Sequence, residues 1–170
     1  MGTWHARYAV RNRAQVIAIV DPDAAAANRL RAGFPAAVTF SDLATMLAAV
    51  TPDVANICTP VQTHAELATA ALERRIHVMV EKPLAVDAAQ TRQLLDIADA
   101  AGMVLCPVYQ FPFQHGFRQA ESWLRAHGPP LRVDLTICSA GAERLHPFGS
   151  ERLIREILPH PMSVLCMLTG

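Results

Sequence analysis

Ile76-His77-Val78-Met79-Val80-Glu81-Lys82-Pro83 decides the fold. The first five residues form an uncharged apolar run of strand length, the pattern of a strand covered on both faces of a parallel sheet. The run then delivers two charged residues and a proline at the point where the strand must stop. Lys82 is the single lysine, against fourteen arginines. A guanidinium is permanently protonated, whereas a lysine amine exchanges its proton readily once buried, so this chain uses arginine wherever charge alone serves. A lone lysine at a strand end therefore points to chemistry, with a solvated turn lysine as the plain alternative.

The neighbouring segments repeat the same unit. Residues 53–58 predict a strand and 64–74 a helix before the decisive run. After it, Asp87 caps a helix to residue 101, Gly102 stops that helix, and 103–108 predict another strand. Toward the N-terminus, 15–20 predict a strand, 23–32 an alanine-rich helix and 36–40 a short strand. Ser41 and Asp42 then cap a helix through residue 50, with the serine oxygen expected to take an unpaired backbone N–H. Alternating strands and helices predict a doubly wound α/β sheet. A helix over 114–127 leads to Gly128-Pro129-Pro130, the clearest break in the chain, so the domains are expected at 1–128 and 129–170. Beyond the break, 131–137 alternate like a half-buried strand, and 150–168 read as a helical stretch interrupted near Pro159 and Pro161.

Composition narrows the function. The 170 residues are 52% hydrophobic and 18% charged with zero net charge, which fits a globular protein rich enough in apolar surface to self-associate. The scattered basic residues lack the footprint of a nucleic-acid or anionic-membrane binder. No apolar stretch has the length of a membrane span and no secretory signal opens the chain, so the expected location is the cytoplasm. Cys58, Cys106, Cys138 and Cys166 form no Cys-x-x-Cys pair and read as reduced, mostly buried thiols. The seven histidines do not pair at ligand spacing, and no metal is expected.

The strand ends carry the candidate site. Asp21 follows the 15–20 strand, where a dinucleotide fold places the acid that binds the adenosine ribose diol and repels a 2′-phosphate, favouring NAD over NADP. A turn-forming Asp-Pro-Asp is the plain alternative. Thr59-Pro60 ends a second strand, Glu81-Lys82 a third and Tyr109-Gln110 a fourth, and ligands of open α/β sheets gather at that carboxyl edge.

Gly2-Thr3-Trp4-His5-Ala6, Val20-Asp21-Pro22, Cys58-Thr59-Pro60 with His64, and Val80-Glu81-Lys82-Pro83-Leu84 resemble the Gfo/Idh/MocA family of glucose–fructose oxidoreductases and inositol dehydrogenases. The resemblance implies a Rossmann-like fold with the beginning of a second α+β domain, and NAD(P)-dependent hydride transfer at a hydroxyl or carbonyl of a small polar metabolite. It also implies roles. Gly2, Asp21, Thr59, Pro60, His64, Glu81 and Gln110 would meet the cofactor, and Lys82 the reacting oxygen. Glu156-Ile157-Leu158-Pro159-His160 resembles the family's Asp-x-Gly-x-His segment, making His160 an acid or base beside Lys82 and Glu156 a further candidate. A small-molecule substrate and a homodimer are the expected partners.

The family pattern opens with a strand running into Gly-x-Gly-x-x-Gly, and Gly2 matches only its third glycine. The sheet is thus expected to lack its central first strand, leaving unpaired edges on both sides, and the second domain is expected to be truncated. Two alternatives follow: an enzyme without cofactor doing elimination, isomerisation or cyclisation with Lys82, His160 and Glu156, or a partner protein that associates through open sheet edges.

Overall fold

A computed structural model describes residues 1–137, 154 and 157–169. The chain divides into two compact units, Met1–Cys106 and Pro107–Gly170. In the first unit the order is α1 (Gly2–Arg11), β1 (Ala18–Val20), α2 (Ala24–Arg31), β2 (Val38–Phe40), α3 (Leu43–Ala49), β3 (Val54–Ile57), α4 (His64–Glu73), β4 (His77–Val80), α5 (Ala88–Ala101) and β5 (Leu105–Pro107), which crosses the division. Asp23, Asp42 and Asp87 open α2, α3 and α5, their carboxylates accepting from the N–H groups of Ala25, Thr45 and Gln90. Gly102 closes α5 at φ 66°, a left-handed turn that glycine adopts without steric cost. The α3 cap corrects an expectation: Asp42 takes the backbone N–H, while the Ser41 hydroxyl donates to Asp42 Oδ2 at 2.9 Å.

The strands form two sheets. β1 pairs with β2 in parallel, and β3 pairs with β4 in parallel with β5 on the far side of β4. Among the described residues no strand joins β1 to β3, so each has one ladder edge without a strand partner. The register Ile57↔Val80 sets the ends of β3 and β4 level, which places Cys58-Thr59 beside Glu81-Lys82. Below them lies the main core, in which Leu72 and Leu94 pack with Ile76, Val78, Val80 and small alanines of α4 and α5. Alanine at positions 68, 71 and 98 lets the two helices sit close to the sheet and to each other. Among the described residues the smaller β1–β2 sheet carries a cluster of Ile19, Ala27 and Ala37, flanked by Val16, Leu30 and Phe34, and Met46 of α3 is buried separately.

The second unit contains a 3₁₀ turn (Phe111–Phe113), α6 (His115–His127) and α7 (Pro159–Thr169). Pro159 starts α7 at the position where a missing N–H costs nothing. The strand expected over 131–137 does not form. Leu131 is fully exposed and the described residues offer it no neighbouring strand, without which alternation cannot be converted into a ladder. Cys166 is exposed rather than buried, and Cys58 and Cys106 are half-buried free thiols. Cys138 and Glu156 lie outside the described residues. Among the described residues no helix is long and apolar enough to cross a membrane, and no three His, Cys, Asp or Glu side chains cluster as metal ligands do.

Candidate functional site

The turn after β4 is held by two histidines, His5 of α1 and His64 of α4. His5, on α1, reaches Glu81 with Nε2 2.8 Å from Oε1. A carboxylate only accepts, so Nε2 carries the proton. Glu81 is buried at 7% exposure, and its second oxygen accepts the backbone N–H of Lys82 at 3.2 Å. A buried carboxylate needs such donors to offset the hydration it has lost. The Lys82–Pro83 peptide bond is cis. On the other side His64, at 1% exposure, lies between two backbone carbonyls: Nδ1 is 2.9 Å from Pro83 O and Nε2 2.8 Å from Thr59 O. The neutral ring donates to one of these carbonyls and the protonated ring to both, so His64 ties the Thr59-Pro60 strand end to the Lys82-Pro83 turn.

Thr59 and Pro60 form a short ledge beside this turn. The Thr63 hydroxyl lies 2.8 Å from Thr59 Oγ1 and 2.9 Å from Pro60 O, which shapes the 3₁₀ turn Val61–Thr63 leading into α4. Cys58, level with Glu81, has its thiol pushed up to about 11, first by burial and then by the Glu81 carboxylate, with the N-terminal ammonium pulling weakly the other way. It is therefore a neutral thiol near pH 7 and a poor nucleophile.

Across the first unit, α1 and α2 enclose a cleft of about 720 Å³ whose lining includes Gly2, Thr3, Arg7, Arg11, Asp21 and Arg29. Asp21, on the cleft wall, accepts the Asp23 N–H with Oδ1 at 2.9 Å. The region around Gly2 is open, since a Cβ built there would meet nothing within 4 Å. The cleft's size, the Asp21 carboxylate and the arginines on its wall suit the nucleotide end of a dinucleotide, although Arg11 lies 5.4 Å over the Tyr8 ring and Arg29 pairs with Asp23 at 3.8 Å. These arginines escape notice in the sequence, although Thr3, Arg7 and Arg11 repeat at helical spacing and so share one face of α1.

The structure thus brings Gly2 and Asp21 together at the cleft, and Thr59, Pro60, His64, Glu81 and Lys82 together around the turn. α1 serves both groups. Gln110 and His160 belong to the second unit. There Gln110 precedes the 3₁₀ turn whose Phe111 ring tilts against the His160 ring at 4.8 Å. Burial raises the pKa of neighbouring Tyr109. His5 is the residue of this arrangement that sequence reasoning left without a role, because its partner lies 76 positions away.

A parallel α/β nucleotide fold with a lysine-bearing turn at its carboxyl edge defines the class, and known proteins define the group within it. Residues 1–109 match the oxidoreductase family with an NAD-binding Rossmann fold, GFO_IDH_MocA, and the chain belongs to that family. It is 36% identical over 118 residues to D-glucoside 3-dehydrogenase of Escherichia coli K12, covering 69% of this chain and 32% of that protein. It is 30% identical to inositol 2-dehydrogenase 4 of Saccharopolyspora erythraea over 100% of this chain and 51% of that protein. The chain therefore spans between a third and about half of the length of these relatives. Among solved structures, GenD2 from gentamicin A biosynthesis in complex with NAD superposes with a TM-score of 0.69 at 29% identity, covering 72% of this chain and 35% of that one. The UDP-N-acetylglucosamine 3-dehydrogenase GnnA of Acidithiobacillus ferrooxidans, at 21% identity and TM-score 0.76 over 100% of this chain and 53% of that one, shares the fold.

Proposed function

We propose that this protein transfers hydride between a nicotinamide cofactor and a hydroxyl-bearing or carbonyl carbon of a small polar metabolite such as a sugar or cyclitol. The observation that carries the reading is the turn at Lys82. The only lysine of the chain follows a buried, doubly bonded carboxylate at the carboxyl edge of a parallel sheet, level with the Thr59-Pro60 ledge. Hydride leaves a carbon as its hydroxyl proton departs, so an amine beside that oxygen lowers the barrier by taking the proton, and returns it in the reverse direction. The names of the relatives, acting at positions of glucosides and inositols, support the substrate class.

In this reading Asp21 holds the adenosine ribose diol and makes NAD the preferred cofactor over NADP, while Gly2 opens the helix end toward phosphate. Thr59 and Pro60 border the groove, and His64 acts on it through the two carbonyls it holds. Glu81 is assigned to the nicotinamide ribose, Gln110 to cofactor binding, and His160 and Glu156 to acid–base roles. The bound cofactor supplies the hydride acceptor or donor. The nucleotide fold is taken to run to residue 128, with substrate and subunit contacts beyond it. Large side chains left exposed, such as Val104 and Phe113, support a homo-oligomer.

Titration calorimetry with NAD, NADH and NADP tests the cofactor, and NADH formation from inositols and glucosides tests the substrate. NAD is expected to bind below millimolar concentration and NADP at least about tenfold more weakly, given the carboxylate at the ribose. Lys82→Ala is expected to lower kcat by about 10²- to 10⁴-fold, the range of general acid–base catalysis. Folded protein that binds neither cofactor at millimolar concentration would overturn the reading.

A further inference from the structure

We infer that His5 is a positioning residue for Lys82, acting through Glu81, and that it links the nucleotide cleft to the lysine; this rests on the hydride-transfer reading above. The lysine side chain is long and rotamer-rich, so where its amine arrives depends on how firmly its backbone is held. The hold is visible on both flanks. Before Lys82, Glu81 Oε2 accepts the Lys82 N–H at 3.2 Å while Oε1 is fixed by His5 Nε2 at 2.8 Å. After it, Pro83 O faces His64 at 2.9 Å.

The two histidines differ in what they connect. His64 joins loops at neighbouring strand ends. His5 comes from α1, three residues beyond Gly2 and two beyond Thr3, both of which line the cleft with Asp21. The His5 side chain is 15% exposed and that of Glu81 9% exposed, so the pair is shielded from water that would otherwise replace it. Removing the imidazole would free one oxygen of a buried carboxylate, which then rotates toward another donor or toward water and releases the Lys82 N–H. Any movement of α1 on filling the cleft is passed to the turn through this same bond. Nothing in the local sequence around Lys82 reports that dependence.

Because Lys82 is the only lysine, reductive ¹³C-methylation gives one side-chain resonance besides that of the N-terminal amine, and Lys82→Arg identifies it by its loss. In His5→Ala that resonance is expected to move and broaden, and added NAD to shift it less than in the unaltered protein. His5→Gln, which keeps an N–H donor at similar reach, is expected to restore the original position. With substrate, His5→Ala is expected to lower kcat by about tenfold or more with KM changed less, since displaced groups cost turnover before binding. If His5→Ala does not fold, Glu81→Gln carries the comparison and is expected to move the same resonance. A folded His5→Ala or Glu81→Gln variant with the Lys82 resonance unmoved would overturn the inference, as would His5→Gln behaving like His5→Ala. Absence of hydride transfer with a resonance that moves and is restored would instead remove the proposed activity and leave the positioning role in place.

Discussion

The two sheets of the first unit are made from similar strand–helix units, yet they rest on very different amounts of core. Among the described residues, eleven buried apolar residues form the cluster at β3, β4 and β5, and three form the cluster at β1 and β2. The turn that carries Lys82 grows from the deeper side, where Val78 and Val80 on one face of β4 are almost completely buried while His77 and Met79 on the other are half-buried. Asp21 grows from the shallower side, where Leu30 and Phe34 flank the small core and also line the cleft. On the hydride-transfer reading proposed above, the difference separates two tasks. A group that must meet a reacting atom needs a rigid base, whereas a wall that receives a nucleotide can complete its own burial when the ligand arrives.

Core truncation breaks or confirms this contrast most sharply. Leu72 is fully buried between α4 and the sheet, so Leu72→Ala is expected to cost about 2–5 kcal/mol from lost transfer energy and the cavity left behind. Leu30 is half-buried at the cleft wall, and Leu30→Ala is expected to cost about 1 kcal/mol, because water already reaches one side of it. Urea denaturation of both variants measures the pair. Equal losses would show that the small sheet is as firmly built as the large one.

Alkaline chemistry probes the boundary at the level of one atom. Cys58 stands beside Glu81 with its thiol raised to about 11 from the ordinary value near 9, chiefly by burial. Between these values the unfolded chain has lost the proton that the folded chain keeps. Stability from this group is thus complete below pH 9 and falls as pH rises toward 11. Alkylation of Cys58 by iodoacetamide at pH 8 is expected to be much slower than that of exposed Cys166, and to approach it only above pH 10. Comparable rates at pH 8, read by peptide mass mapping, would mean that the deeper side opens readily.

The same contrast governs how much of the molecule can be read from its sequence. The 76–80 run is legible because it is uncharged and the charged turn after it fixes where the strand ends, but the expected cover on both faces is only partial, since burial alternates along β4 and leaves His77 and Met79 half-buried. Asp21, Thr59, Glu81 and Lys82 are legible as strand ends because each stands just after a run of strand length. Residues 131–137 alternate just as a strand should, but pairing needs another backbone, and no local rule supplies one. Ser41 and Asp42 are both good caps, and only coordinates show the aspartate turned toward Thr45. The His5–Glu81 bond and the arginines facing the cleft are long-range matters of packing, invisible until α1 is set against its neighbours.

The smallest effect belongs to the exposed cap of α3, a helix that packs against β1 and β2 and touches the deeper core only through half-buried Leu47. The Thr45 backbone N–H, then the Thr45 hydroxyl and the Ser41 hydroxyl, hold the Asp42 carboxyl below its ordinary value of 3.8. The folded state therefore keeps this carboxylate charged at a pH where the unfolded chain has already taken up a proton. The cap's contribution is present above 3.8 and is lost as pH falls through the lower folded value. Asp42→Ala is expected to speed amide exchange at Thr45 and Met46 at pH 6 while leaving the protection of β3 and β4 unchanged, since those strands draw on the deeper core. In the unaltered protein the same two amides should lose protection as the solution is acidified below pH 4, ahead of the Asp87-capped start of α5, which rests on that core. Simultaneous loss of protection in α3 and α5 would show that one cooperative unit spans both sheets, and the division between shallow and deep halves would fall.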